Sequence, residues 1–534
     1  MTKQRKYFEI IAGIGRRSAP APEFPYTAEG LSDDMAYHRV HGALVTDMTA
    51  LDYSFVSGNR SLCETLKSNP RFVGAAQVPS TALLETEDGE YFEKLYRGGV
   101  RAFYAAPAKF RHSLHPDDME EIARFLTEKK LPLLLRFDEA NNAHFDIGPF
   151  LRAYPELNVV LLGCYWAFNR WLFAALERHP NLYFDIGWNQ ANDLLELTKK
   201  HFGIERALFG TDWPSRPMGT IKALVEYADL SEKDKDLVAA GNALRLLGLS
   251  GDRFPLYPEA DCRLDAIARE MEAGKPLSVP VFDAHTHMIP AEDKTVSGQP
   301  TLHGDCDSIV KKMDRLGVDS IVTAPWQGLS TDGRAGNAQA VYAAQKYPGR
   351  VYGYSTCNIH YAEDVEDCIR YHERYPDIFV GIKPYWPYQK FALTASECRL
   401  WYEYADKHRL LLLLHTDSEN NEIIRQAEEL IVKYPGMRFL LAHSGGDWDT
   451  ARRNAALAKK YANVYLEITL TSCTRGAIEY LVAEAGADKV LYGSDTPLRD
   501  PAPQLAWVAY SKISIEDKKK IFAGNLKRLL AAIV

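Results

Sequence analysis

The chain has 534 residues, 46% hydrophobic and 25% charged, an ordinary globular composition with room for two to four domains. A net charge of −8 argues against nucleic acid or an anionic membrane as a required partner. No run of about 18 apolar residues occurs, so no membrane span is expected. The eight cysteines show no C-x-x-C spacing and read as reduced thiols of a cytoplasmic protein.

In chain order, the polar and basic Met1–Lys6 is followed by Ile10–Ile14, too short for a signal-peptide core. Next come Gly58-Asn59, then Asn69–Gly74, then Gly99-Val100-Arg101. The first part closes with Leu208–Pro214 (LFGTDWP) and Gly241–Leu247 (GNALRLL). Each returns in the same order: Gly336-Asn337, Pro348–Gly353, Gly381-Ile382-Lys383, Leu491–Pro497 (LYGSDTP) and Gly524–Leu530 (GNLKRLL). Asp212 and Asp495 lie 283 positions apart, as do Asn242 and Asn525. The chain is therefore read as a tandem duplication of a unit of roughly 250 residues. The units are assigned to residues 1–250 and 277–534, with a connector over 251–276.

In the second unit, eight short apolar runs read as strands: Val281–Ala284, Ser320–Thr323, Val351–Ser355, Val380–Lys383, Leu410–Leu414, Arg438–Ala442, Val464–Ile468 and Val490–Gly493. Helix-period segments lie between them, among them Asp307–Leu316, Asn337–Tyr347, Glu397–Lys407 and Glu422–Tyr434. Eight nearly continuous apolar strands alternating with helices predict a parallel sheet covered on both faces. The fold class is α/β, two tandem (β/α)8 TIM barrels. An open doubly wound sheet, the competing topology, would not bring the first strand beside the eighth.

In such a barrel the C-terminal ends of the strands share one mouth. His285 and His287 end the first strand at i, i+2 and so face one way. Alone, an H-x-H suits a polar turn as well as a metal. Here His415 ends the fifth strand, His443 the sixth and Asp495 the eighth. His285, His287, His415 and Asp495 are assigned to one divalent metal, with His443 and Asp495 as acid or base. Lys383, Arg499, Arg475 and Trp386 are candidate substrate contacts, with Tyr385 beside them. Asp283 is expected to point away, into supporting hydrogen bonds.

The order H-x-H, His, His and a late G-S-D resembles the amidohydrolase superfamily. It is most similar to the amidohydrolase-related branch that includes aminocarboxymuconate-semialdehyde decarboxylase and the resorcylate-type decarboxylases. The resemblance covers about 279–534 and, more weakly, 7–250. It implies a single zinc, or manganese as the second choice, at the four positions above, with His443 matching the catalytic histidine. It also brings a question to Lys383, since some amidohydrolases carry a carbamylated lysine there. A hydrogen bond or salt bridge in the barrel mouth is the simpler expectation.

In the first unit the ligand positions are read as Ile11, Gly13, Arg136 and Asp212, with Cys164 in place of His443. That set cannot hold a catalytic metal, so this barrel is expected to be metal-free, with Arg136 paired to Asp212. The two barrels are expected to act as an internal pseudo-dimer, with further oligomerisation left open. The first functional reading is a metal-dependent hydrolase of an amide, ester or lactone in a small carboxylated molecule. The alternatives are a non-oxidative decarboxylase of an aromatic or muconate-like acid, and a non-catalytic metal-containing binding protein.

Overall fold

The computed structural model describes residues 4–19, 21, 23–138, 143–416 and 421–534, without the side chains of 143–146 and 421. Backbone proximity divides the chain into two compact units, Met1–Leu264 and Asp265–Val534. The division falls within the stretch read as a connector, whose helix Ala266–Glu272 belongs to the second unit.

The first unit is an eight-stranded parallel sheet in sequential order: β1 (Phe8–Ile14), β2 (Gly42–Asp47), β3 (Phe72–Gln77), β4 (Val100–Ala105), β5 (Leu133–Arg136), β6 (Val159–Leu162), β7 (Leu182–Asp185) and β8 (Ala207–Leu208). The second unit repeats it with β9 (Phe282–Thr286), β12 (Ser320–Thr323), β13 (Val351–Ser355), β14 (Phe379–Ile382), β15 (Leu411–His415), β16 (Arg438–Ala442), β17 (Val464–Glu467) and β18 (Val490–Leu491). A small antiparallel hairpin, β10 (Thr295–Val296) with β11 (Gln299–Pro300), sits in the loop after β9.

Each sheet curls until its first strand meets the segment after its last. In the first unit Ile10 N–H donates to Phe209 O at 3.0 Å and Gly13 N–H to Trp213 O at 3.0 Å. In the second, Ala284 N–H donates to Tyr492 O at 3.0 Å and Asp495 N–H to His285 O at 2.8 Å. These are two tandem (β/α)8 TIM barrels, and the second closure sets the strand-eight aspartate against the H-x-H pair.

The strands form here because helices cover their outer faces while the barrel interior packs their inner ones, so both faces must be apolar. Leu411–Leu414 and Phe439–Ala442 are buried throughout. The covering helices carry one apolar stripe. In helix Cys306–Leu316, Ile309, Val310, Met313 and Leu316 are buried. Its start is fixed by Asp305, whose side chain accepts from the N–H groups of Asp307 and Ser308. It ends at Gly317, where φ is 79°.

Register between neighbouring strands aligns the two barrels independently of motif matching. It places Ile11 and Gly13 at the positions of His285 and His287, and Arg136 at that of His415. It corrects two pairings. Leu161 pairs with Phe184 as Leu441 pairs with Leu466, so His443 corresponds to Gly163, not Cys164. His443 and Gly163 also share a left-handed backbone, with φ of 66° and 71°. Ala76 pairs with Phe103 as Ser355 pairs with Ile382, so the counterpart of Lys383 is Tyr104, not Arg101. Arg101 instead lies over the Tyr96 ring, 4.4 Å from its centroid, and donates to Tyr96 O.

Candidate metal centre

At the C-terminal mouth of the second barrel, burial and hydrogen bonds fix the state of each imidazole. His285 Nδ1–H donates to Glu467 Oε2 at 2.8 Å, and His287 Nδ1–H donates to Ala324 O at 2.8 Å. Both rings are held well toward their neutral forms, first by burial and then by the Lys383 ammonium. With the proton on Nδ1, each Nε2 is a bare lone pair aimed into the mouth.

Asp495 stands opposite, on a left-handed backbone with φ of 62°. Its Oδ1 lies 2.9 Å from His287 Nε2 and 3.5 Å from His285 Nε2. Its Oδ2 is paired with Arg499 Nη2 at 3.1 Å. Burial by itself would raise this carboxyl, but the Arg499 guanidinium beside it outweighs burial and holds it well below the usual carboxylate range.

His287 Nε2 and Asp495 Oδ1 are thus two acceptors at hydrogen-bond distance, an arrangement that a cation between them would stabilise. A stand-in cation is already nearby. Lys383, following β14, is buried and puts its Nζ 2.6 Å from His285 Nε2. The donor atoms of His285, His287 and Asp495 all lie within 4.8 Å of one another. Two imidazole nitrogens and a carboxylate suit a borderline divalent ion, so the residues fit a metal.

A second cluster among the described residues, His285 with His443 and Glu467, is accounted for by the hydrogen bond between His285 and Glu467. His415 belongs to neither cluster. It sits behind them, with its Nδ1 3.1 Å from His443 Nε2 and their ring centroids 4.7 Å apart. His443 Nδ1–H donates to Thr469 O at 2.6 Å, so neutral His443 accepts at Nε2 and His415 donates from Nδ1. That tautomer chain leaves His415 Nε2 bare as well.

The rest of the mouth is aromatic. Trp326 lies 5.0 Å from the His287 ring and 5.8 Å from Tyr385, which lies 5.6 Å from His415. Trp386 donates from Nε1 to His415 O at 3.3 Å. Arg475 is half-buried just ahead of helix Ala477–Ala485.

Asp283 does point into supporting contacts: its Oδ1 accepts from His285 N–H at 2.9 Å and Ser494 N–H at 3.1 Å, and burial pushes its carboxyl up to about 8. Glu467 escaped the sequence reading. Fully buried at the end of β17, it orients His285 through Oε2 and takes Thr469 N–H on Oε1 at 2.7 Å. The space it needs is left by Gly493, where a Cβ would come within 2.1 Å of Glu467 Oε1. One signal was available, a lone acid ending an otherwise apolar strand.

The mouth of the first barrel is built differently. Arg136 Nη1 donates to Asp212 Oδ1 at 2.8 Å, as expected, and its Nε and Nη2 donate to the two oxygens of Asp138 at 2.9 and 3.0 Å. Trp188 Nε1 also donates to Asp212, at 3.0 Å. Burial would raise Asp212, but Arg136 and Arg216 outweigh it and lower its pKa.

A parallel eight-stranded barrel that gathers an H-x-H pair, two further histidines and a strand-eight carboxylate at its mouth defines a candidate metal-dependent enzyme. The chain belongs to the amidohydrolase family, whose model matches residues 10–249 and 282–531. No curated protein matches it. Solved structures similar to single barrels include 2,6-dihydroxybenzoate decarboxylase from Rhizobium, at 16% identity over 48% of this chain and 99% of that one, with a TM-score of 0.39. Another is 5-carboxyvanillate decarboxylase from Novosphingobium aromaticivorans, complexed with manganese, at 16% identity over 48% of this chain and 98% of that one (TM-score 0.39). A third is a dihydroxybenzoic acid decarboxylase from Polaromonas with bound manganese, at 17% identity over 47% of this chain and 97% of that one (TM-score 0.36). No helix among the described residues is long and apolar enough to cross a membrane.

Proposed function

We propose that the second barrel is a metal-dependent, non-oxidative decarboxylase of a small planar carboxylic acid, aromatic or muconate-like. His285, His287 and Asp495 would hold the ion, with His415 as fourth ligand and zinc as the first choice over manganese. When bound, the ion supplies Lewis-acid polarisation of a substrate oxygen.

The observation that carries this reading over hydrolysis is the ion pair between Asp495 Oδ2 and Arg499 Nη2 at 3.1 Å, which holds that carboxylate in its ionised form. Hydrolysis needs a base to take a proton from the attacking water. A carboxylate held so far below its usual range is a poor one. Decarboxylation makes no such demand. The bond from the ring or vinyl carbon to the carboxylate breaks, its electron pair stays on that carbon, carbon dioxide leaves, and the carbon takes a proton. His443 would deliver that proton from Nε2 after taking one up from solvent there, with His415 Nδ1 beside it at 3.1 Å. Trp326, Tyr385 and Trp386 offer faces on which a flat substrate stacks. Lys383 and Arg499 are the cations that receive its carboxylate.

The test is product analysis of the metal-loaded full chain in deuterium oxide with hydroxybenzoates and muconate-type acids as one substrate class and amides, esters and lactones of small carboxylated molecules as the other. Carbon dioxide release with one deuterium on the carbon that lost it is expected. His443→Ala should abolish turnover while keeping metal content. An acid product without carbon dioxide would return the assignment to hydrolysis. Metal retention with no turnover on either substrate class would favour a binding protein.

A further inference from the structure

The mouth of the first barrel encloses a cavity of about 280 Å3 although it lacks the histidine ligands. Its wall contains Ile11 and Gly13 in place of the H-x-H pair and Tyr104 in place of Lys383, with Tyr26 and Trp213 beside them. Two cations line this space: Arg17, whose Nε is paired with Asp52 Oδ2 at 2.7 Å, and Arg136, whose two edges lie in different surroundings. Nη1 is held by Asp212, whose side chain is 24% exposed and also tied by Trp188. The Nε–Nη2 edge is held by Asp138, whose side chain is 60% exposed at the opening.

We infer that the first barrel is a metal-independent binding site for a small carboxylate on a flat, single-ring-sized body, whose carboxylate replaces Asp138 on the Nε–Nη2 edge of Arg136. The guanidinium fork matches a carboxylate bidentately, and Asp138 already shows the geometry a ligand would adopt. The exchange costs little, because the exposed Asp138 carboxylate passes into water when the ligand takes its place. Asp212 stays in place and keeps the arginine aimed. Beyond Arg17, Thr46 and Ser215 the wall is aromatic and apolar, with Phe24, Tyr26 and Trp213 offering flat faces for a planar body, and the volume excludes ligands of drug size. The site holds whatever reaction the second barrel catalyses.

Isothermal titration of the full chain with benzoate tests this, first after metal removal by a chelator and again after reloading, with benzamide as the uncharged control. Benzoate should bind in both states and benzamide should not. Asp138→Asn, a substitution at an exposed position, removes the competing carboxylate and should tighten benzoate binding by roughly three- to tenfold. Arg136→Met should weaken it at least tenfold. Binding in the second barrel would not respond to position 138. Equal affinity of wild type and Asp138→Asn, equal binding of benzamide, or no benzoate binding by Asp138→Asn at millimolar concentration would each overturn the inference.

Discussion

Replacing Glu467 by Gln is a one-atom change with a determined outcome. Glu467 Oε1 accepts the backbone N–H of Thr469, a donor that cannot be reversed, so a glutamine must turn its oxygen to that side. Its NH2 then faces His285 Nδ1, which donates to Oε2 in the native chain. Two donors cannot face each other, so His285 must move its proton to Nε2, the atom that looks toward Asp495. Metal binding would then require either displacing that proton or leaving a buried N–H opposed. Loss of such a supporting partner lowers metal affinity by about 10–100-fold. The tautomer conflict places this variant at the upper end, about 2.7 kcal/mol for a hundredfold. The assay is competition with a chromogenic chelator on the full chain. Asp283→Asn is the control. Asp283 is the other buried acid beside His285, but its Oδ1 takes the backbone N–H groups of His285 and Ser494, and an asparagine oxygen can keep both. Its effect should stay within about threefold. Glu467→Gln binding metal as tightly as wild type, or both variants losing affinity equally, would refute the reasoning.

Lys383→Met should raise metal affinity in the same assay, because an ammonium 2.6 Å from His285 Nε2 must leave before an ion enters. A fall would instead mark the lysine as a ligand. Arg136→Met should destabilise the first barrel by roughly 2–3 kcal/mol in urea unfolding, below the range for a fully buried pair because Asp212 is 24% exposed and keeps Trp188. Adding Asp212→Asn should recover most of that loss, and a double-mutant cycle with no coupling would count against the pair. Burial pushes the Glu9 carboxyl, bonded to Thr211, up to about 8. The folded chain therefore keeps a proton that the unfolded chain releases above pH 4.5, and stability falls as pH rises from about 4.5 to 8. Glu9→Gln should remove that part of the slope, gaining a few kcal/mol over wild type at pH 8.5 relative to pH 5. Parallel pH curves for the two proteins would show that Glu9 ionises normally.

The architecture was legible because its signals are local. Ser320–Thr323, Val351–Ser355 and Arg438–Ala442 are observed with the bounds read from their apolar runs. The histidines and Asp495 were legible because each follows such a run. Register was harder. Gly99-Val100-Arg101 looks like Gly381-Ile382-Lys383, yet Gly381 pairs with Tyr354 where Ala102 pairs with Ala75, so the motif match is out of register and the lysine's counterpart is Tyr104. Glu467 was missed for a different reason. Its partner is 182 positions away, and a strand's sequence does not state which neighbour its inward polar residue will meet. The roles of Arg499 and Lys383 depended likewise on a closure that only folding supplies.

The guanidinium of Arg136 gives the first barrel a covalently attached positive charge beside its strand-eight carboxylate. Ion supply is then predicted to have no effect on half of the molecule. When the surroundings are scarce in zinc or manganese, residues up to about 264 should keep their full stability, while the remainder should forfeit whatever free energy its ion would contribute. Starvation and repletion should therefore shift one melting transition and leave the other where it was.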